Sequence, residues 1–78
     1  MPNYRFHVIN DIDAPDEEGV ELDNLALAHL KAIDAARDLA SAAVRQGRLN
    51  LQHRIDVEDH SGNVLLTVTF ADAIELSN

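Results

Sequence analysis

Apolar and polar residues alternate at the start of the chain. In YRFHVI, Tyr4, Phe6 and Val8 share one face and Arg5, His7 and Ile9 the other, the two-residue period of a half-buried strand. NDIDAPDEEG interrupts this pattern with Asn, Asp, Pro and Gly, each a turn former for its own steric or hydrogen-bonding reason. GVEL can then add a short strand near residues 19–22 that pairs back on the first. From Asn24 to about Gln46 the chain is rich in Ala and Leu and free of Gly and Pro. Asp23 or Asn24 caps this segment and Gly47 stops it, the signature of one long helix. At about 100° per residue, Leu25, Ala28, Ala32, Ala35, Ala36, Leu39 and Ala43 fall on one stripe. Side chains that small let the helix lie close against a sheet.

Alternation returns in LNLQHRIDVED, with Leu49, Leu51, His53, Ile55 and Val57 on one face. DHSGN supplies a tight turn, VLLTVTF a return strand, and ADAIEL an apolar–polar tail. Strand, helix, strand, hairpin predicts an α+β two-layer sandwich, with one long helix packed on a small mixed sheet. The β-α-β-β order implies that the helix crosses over, so that the second strand runs parallel to the first. The third then pairs between them, in sheet order 1-3-2.

The hairpin leaves two registers open. A type I turn with a glycine bulge over Asp59–Gly62 pairs Asp59 with Asn63 and turns Val64, Leu66, Val68 and Phe70 away from Ile55 and Val57. A one-residue shift with a longer loop puts both apolar sets on one face. The bulged turn is the expected one, because Asp and Gly stand where it prefers them. Val64, Leu66 and Val68 then need cover from a second copy of the chain.

The 78 residues predict one domain, 1–78, with no cysteine to staple it, so stability rests on apolar packing. MPNYRFHVIN lacks the pattern of a signal peptide and no apolar run reaches membrane-spanning length. A cytoplasmic setting is the simplest expectation. The net charge of −8 is uneven. Residues 1–23 carry seven acids against Arg5, a balance of −6; residues 24–48 carry four bases against two acids. Such a surface repels phosphate backbones, so no direct nucleic-acid contact is expected.

MPNYRFHV, DEEGVEL, the alanine-periodic helix ending in Gly, and RIDVEDHSGNVLLTVTFADAIEL resemble a family of short bacterial proteins. These are frequent in alphaproteobacteria and are classed only as a domain of unknown function. The resemblance implies a stand-alone cytoplasmic domain and brings no catalytic residue with it.

Candidate chemistry is sparse. Asp11, Asp13, Asp16, Glu17 and Glu18 offer oxygen ligands, but Pro15 breaks the alternate spacing that a calcium loop needs, and a strand precedes it. The expectation is a bend that binds no metal. His7, His29, His53 and His60 lack zinc-site spacing. Ser41, Ser61 and Ser77 sit on no nucleophile elbow. With three aromatic residues a deep pocket is hard to build. Neither a cofactor nor an enzyme is expected. What remains is surface: Leu27 and Leu30 beside Lys31 and Arg37 form a small docking patch. The expected role is a non-enzymatic, self-associating interaction module. Its interface, as a homodimer, is Val64, Leu66 and Val68 or the Leu27/Leu30 patch. The alternative is an acidic regulatory partner that masks a basic protein, antitoxin-like or a nucleic-acid mimic.

Overall fold

The computed structural model describes residues 2–10 and 13–77. Strand β1 (Asn3–Ile9) is followed by the two-residue strand β2 (Val20–Glu21) and the long helix α1 (Leu25–Arg45). Strands β3 (Arg54–Glu58) and β4 (Val64–Thr69) form a hairpin, and a single-turn helix α2 (Phe70–Ala73) closes the order. Asn24 caps α1, its Oδ1 accepting the Leu27 N–H at 3.0 Å. At the other end the Gln46, Gly47 and Arg48 amides donate to the Ala43 and Val44 carbonyls, with Gly47 at φ 89°.

The α+β class and the helix-on-sheet layering are as the sequence implied. The mixed sheet in order 1-3-2 is not. The four strands lie in the order β2-β1-β3-β4 and every ladder is antiparallel. The second long strand, not the third, sits in the middle. The expected short strand near 19–22 does pair back on β1, and the cause of the different order lies in what it and residues 13–18 do beyond making a bend. Together they carry the chain back along β1: Ala14 bridges Val8, Val20 pairs with Tyr4, Glu21 with Asn3, and Leu22 donates to the Pro2 carbonyl. Helix α1 therefore starts where β1 starts, ends where β1 ends, and delivers β3 in the opposite direction. β2 and β3 run the same way on the two sides of β1, and α1 is the crossover between them.

Helix α1 meets the sheet along Ala28, Ala32, Ala36 and Ala40, a ridge of four-residue spacing that is fully buried. With only a methyl at each contact, the helix backbone approaches the sheet closely. Tyr4, Ile55, Val57, Val68, Phe70 and Ala73 complete the core. Leu25, expected on the buried stripe, is exposed, and Ala40 takes the last place on it. Residues 49–53 are a turn and not part of β3. Asn50 makes it, accepting the Gln52 N–H on Oδ1 and the His53 N–H on its carbonyl.

The hairpin register was the open question, and the chain resolves it with two irregularities. Asp59 pairs with Asn63 around Gly62 at φ 89°, as the bulged turn requires. The ladder then shifts between Val57 and Glu58: Glu58 faces Val64, but Val57 faces Leu66 and Ile55 faces Val68. Leu65 is the extra, unpaired residue. A second bulge flips the side-chain phase once more, so both apolar sets lie under α1 without a longer loop.

Candidate binding surfaces

The acidic loop is tied down by one side chain. Asp16 Oδ2 accepts the Phe6 N–H at 3.1 Å, and Oδ1 accepts the amides of Gly19 at 3.1 Å and Glu18 at 3.2 Å. Desolvation is the largest single influence on this carboxyl and pushes its pKa up. The Gly19, Phe6 and Glu18 hydrogen bonds, with His7 nearby, together outweigh it and hold the pKa below the ordinary 3.8. The Asp16 N–H donates to His7 Nδ1 at 2.9 Å. Neutral His7 then carries its proton on Nε2, which lies 3.1 Å from Glu58 Oε2. Both ring nitrogens are engaged. Asp13, Glu17 and Glu18 remain exposed, while Asp11 lies outside the described residues. Among the described residues no group of three or more His, Asp or Glu side chains is placed to hold a metal ion.

The outer sheet face is polar. Its cross-strand rows are Arg5, Glu58 and Val64; His7, Asp56 and Thr67; and Ile9, Arg54 and Thr69. Thr67 donates to Asp56 Oδ1 at 2.9 Å, and Arg54 Nε lies 3.2 Å from the same oxygen. The expected interface of Val64, Leu66 and Val68 is therefore not assembled. Val68 is 1% exposed, Leu66 packs against the core under α1, and Val64 alone stands out, at 55%. Phe70, expected on the same outer face, is buried at the start of α2. The second bulge removes the apolar stripe that called for a two-fold partner. Leu27 and Leu30 do stand exposed on α1, Leu30 at 61%. Of the residues expected to form an interface, these two and Val64 are exposed.

The two sheet edges differ. Leu22, Glu21, Val20, the Asp16 carboxylate and Ala14 cover β1 from Pro2 to Val8. No strand pairs with the outer edge of β4 among the described residues. From Ser61 to Ala71 the sequence has no ionisable side chain, the longest such stretch in the chain.

Sequence reasoning missed one concavity. A cleft of about 400 Å³ opens beside the last turns of α1. Leu39, Ala43 and Phe70 form its apolar part, and Arg48, Asn50, His53 and Asn10 its polar part. His53 stands edge-on to Phe70, ring centroids 5.6 Å apart and planes at 77°. Among the described residues the lining comes from several separate segments, so no spacing in the sequence announces it. A second hollow, of about 330 Å³ between loop and helix, is lined by Lys31 with Asp16, Asp34 and Asp38.

A family model described as a domain of unknown function matches residues 3–71, in keeping with the resemblance read from the sequence. No curated protein and no solved structure matches the chain. No helix among the described residues is long and apolar enough to cross a membrane.

Proposed function

We propose, for a chain that belongs to the DUF6894 family and inherits no assigned activity from it, a role as a non-enzymatic interaction module that pairs through the free edge of β4. The observation that carries this reading is the contrast between the edges. An unpaired strand edge is a template for another strand. One edge here is closed by a loop and a buttressing carboxylate. The other has no lysine, no proline and no covering strand among the described residues, only the bulge at Leu65.

A second copy is the occupant that charge favours. Two chains of net charge −8 repel one another over most approaches. Along β4 they meet without opposing carboxylates. Antiparallel pairing of two β4 strands about a two-fold axis joins two four-stranded sheets into one of eight. A non-catalytic role is supported by how the polar groups are used. The Asp16, Asp59 and Asp72 carboxylates accept backbone amides of the turns they stabilise, and both His7 ring nitrogens are engaged.

Sedimentation across about 10 μM to 1 mM tests the pairing. Wild type should associate. The double variant Leu65→Lys and Thr67→Lys, both at exposed positions, should stay monomeric while still folding cooperatively, since edge lysines block strand addition. A wild type that is monomeric throughout, or a variant that associates as well, overturns it. A second reading, masking of a basic partner, draws on the exposed acids Asp13, Glu17, Glu18, Glu21 and Asp23.

A further inference from the structure

We infer that the second copy sits in a single register, with Thr67 of each chain opposite Thr67 of the other across the two-fold axis, and that Asp72 excludes the neighbouring registers. This register rests on the pairing through β4.

The backbone of β4 decides which groups reach the open edge. The Phe70 N–H donates to the His53 carbonyl across the hairpin at 2.8 Å, and the same register continues through Val68 with Ile55 and Leu66 with Val57. Peptide groups alternate in direction along an antiparallel strand. Leu66, Val68 and Phe70 therefore turn theirs toward β3, and Thr67 and Thr69 turn theirs outward. The Thr69 amide is already engaged. It donates to Asp72 Oδ2 at 3.1 Å, while Thr69 Oγ1 accepts the Asp72 N–H at 3.0 Å. At the other end of the strand the extra residue, Leu65, breaks the regular spacing. Thr67 is left as the residue that offers this edge both an N–H and a C=O in regular strand geometry.

Symmetry then narrows the choice. In an antiparallel pair about a two-fold axis, one residue stands opposite its own copy. A register centred on Thr69 sets two engaged amides face to face and brings the two Asp72 carboxylates together. One centred on Val68 points each Thr67 carbonyl at a Thr69 amide that Asp72 holds. One centred on Leu66 lays Thr67 against the bulged Leu65 of the second copy. Centred on Thr67, the strands exchange two N–H to C=O bonds, and each Asp72 lies at an end of the contact. Leu66 of each chain then meets Val68 of the other on the face that α1 covers, a pair of the kind that brings side chains closest. The two Thr67 side chains meet on the polar face, where each hydroxyl donates to its own Asp56 Oδ1.

The test places single cysteines in a chain that has none, with sedimentation and mild oxidation of the same samples. In this register the Cα atoms of two Thr67→Cys chains lie about 5.5 Å apart, within reach of a disulfide. Those of Leu65→Cys or Thr69→Cys lie about 14 Å from their copies, beyond it. Thr67→Cys should therefore form covalent dimers about tenfold faster than either control, or more. Thr67→Pro should be monomeric yet fold cooperatively, since it removes an N–H that the β3 ladder does not use. Thr67→Val, which keeps that N–H, should associate like wild type. Adding Asp72→Ala to Thr69→Cys should speed its cross-linking severalfold, because registers nearer Thr69 then open. If association is lost in the Leu65→Lys and Thr67→Lys variant but Thr67→Cys cross-links no faster than the controls, the register alone is overturned. A Thr69→Cys rate that Asp72→Ala leaves unchanged overturns the role of Asp72. Association that persists in the double lysine variant or in Thr67→Pro, or a wild type monomeric at about 1 mM, overturns the pairing and the register together.

Discussion

Two glycines show how the same backbone angle carries different weight. Gly19 and Gly47 both have positive φ, 73° and 89°. A Cβ on Gly19 would overlap the Asn3 amide oxygen and lie 2.9 Å from the Tyr4 carbonyl oxygen, whereas one on Gly47 meets nothing within 4 Å. Gly47→Ala should therefore cost only the conformational penalty of about 1–2 kcal/mol. Gly19→Ala adds a collision with β1 itself and should cost clearly more, measured as urea unfolding free energies. Asp16 gives a pH-resolved test at the same scale. Its pKa is lowered on folding, so the stability it contributes is present above about pH 4 and lost as pH falls through the folded value. Asp16→Asn should destabilise by about 1–3 kcal/mol at neutral pH, where a backbone donor loses its acceptor. The gap between variant and wild type should close by about pH 2. A gap that persisted in acid would show that the carboxylate charge is irrelevant. This residue was legible only as part of an acidic run. Nothing in DAPDEEG distinguishes the one acid that turns inward from its exposed neighbours, because the partner amide belongs to Phe6, ten positions away.

Among the elements, α1 was the most legible. Caps, composition and period all point to one answer, and the helix runs from Leu25 to Arg45 between an Asn24 cap and Gly47. The alanine ridge makes a sharp prediction. Ala36→Glu forces a carboxylate into a dry helix–sheet contact where Ala36 is fully buried, and should cost about 3 kcal/mol or more. Ala26→Glu, exposed in a first turn that carries no acid, should be neutral or slightly stabilising. Similar losses for both would mean the wrong helix face is assigned. The hairpin was half legible. Asp59 and Gly62 announce their turn locally, but the bulge at Leu65 does not, since no residue there requires it. It arises from tertiary demand: without it, Leu66 and Val68 would leave the core, forgoing roughly 1.5–3 kcal/mol each. The capping box in which Thr69 accepts the Asp72 N–H and Asp72 the Thr69 N–H was present in TFAD, and reading it would have ended β4 before Phe70.

For the molecule as a whole, charge is the quantity the sequence states most directly and the one with the widest reach. If two copies pair along β4, their shared negative charge opposes them at a distance. Raising salt shortens the Debye length from about 10 Å at 0.1 M to about 3 Å at 1 M. Self-association should therefore tighten with salt, while capture of a basic partner by Asp13, Glu17 and Glu18 should weaken, and sedimentation at both ionic strengths separates the two. Strand order was illegible for a related global reason. The sequence marks where strands lie but not how far a connection travels, and the ten residues between β1 and β2 decide which end of the molecule α1 starts from.

The loop that doubles back along β1 also has a consequence in time. On one side β1 pairs with residues six to eighteen positions away, Val8 with Ala14 and Asn3 with Glu21. On the other it awaits β3, from Ile9 to Arg54 and from Arg5 to Glu58, separations of 45 to 53. At about 5–20 residues per second on the ribosome, that difference is on the order of 2–10 s. During this interval the nascent chain can already hold one flank of its apolar first strand against a nearby segment dense in negative charge. Neighbouring nascent chains on the same message then find a single open flank on each strand, and a repulsive one beside it.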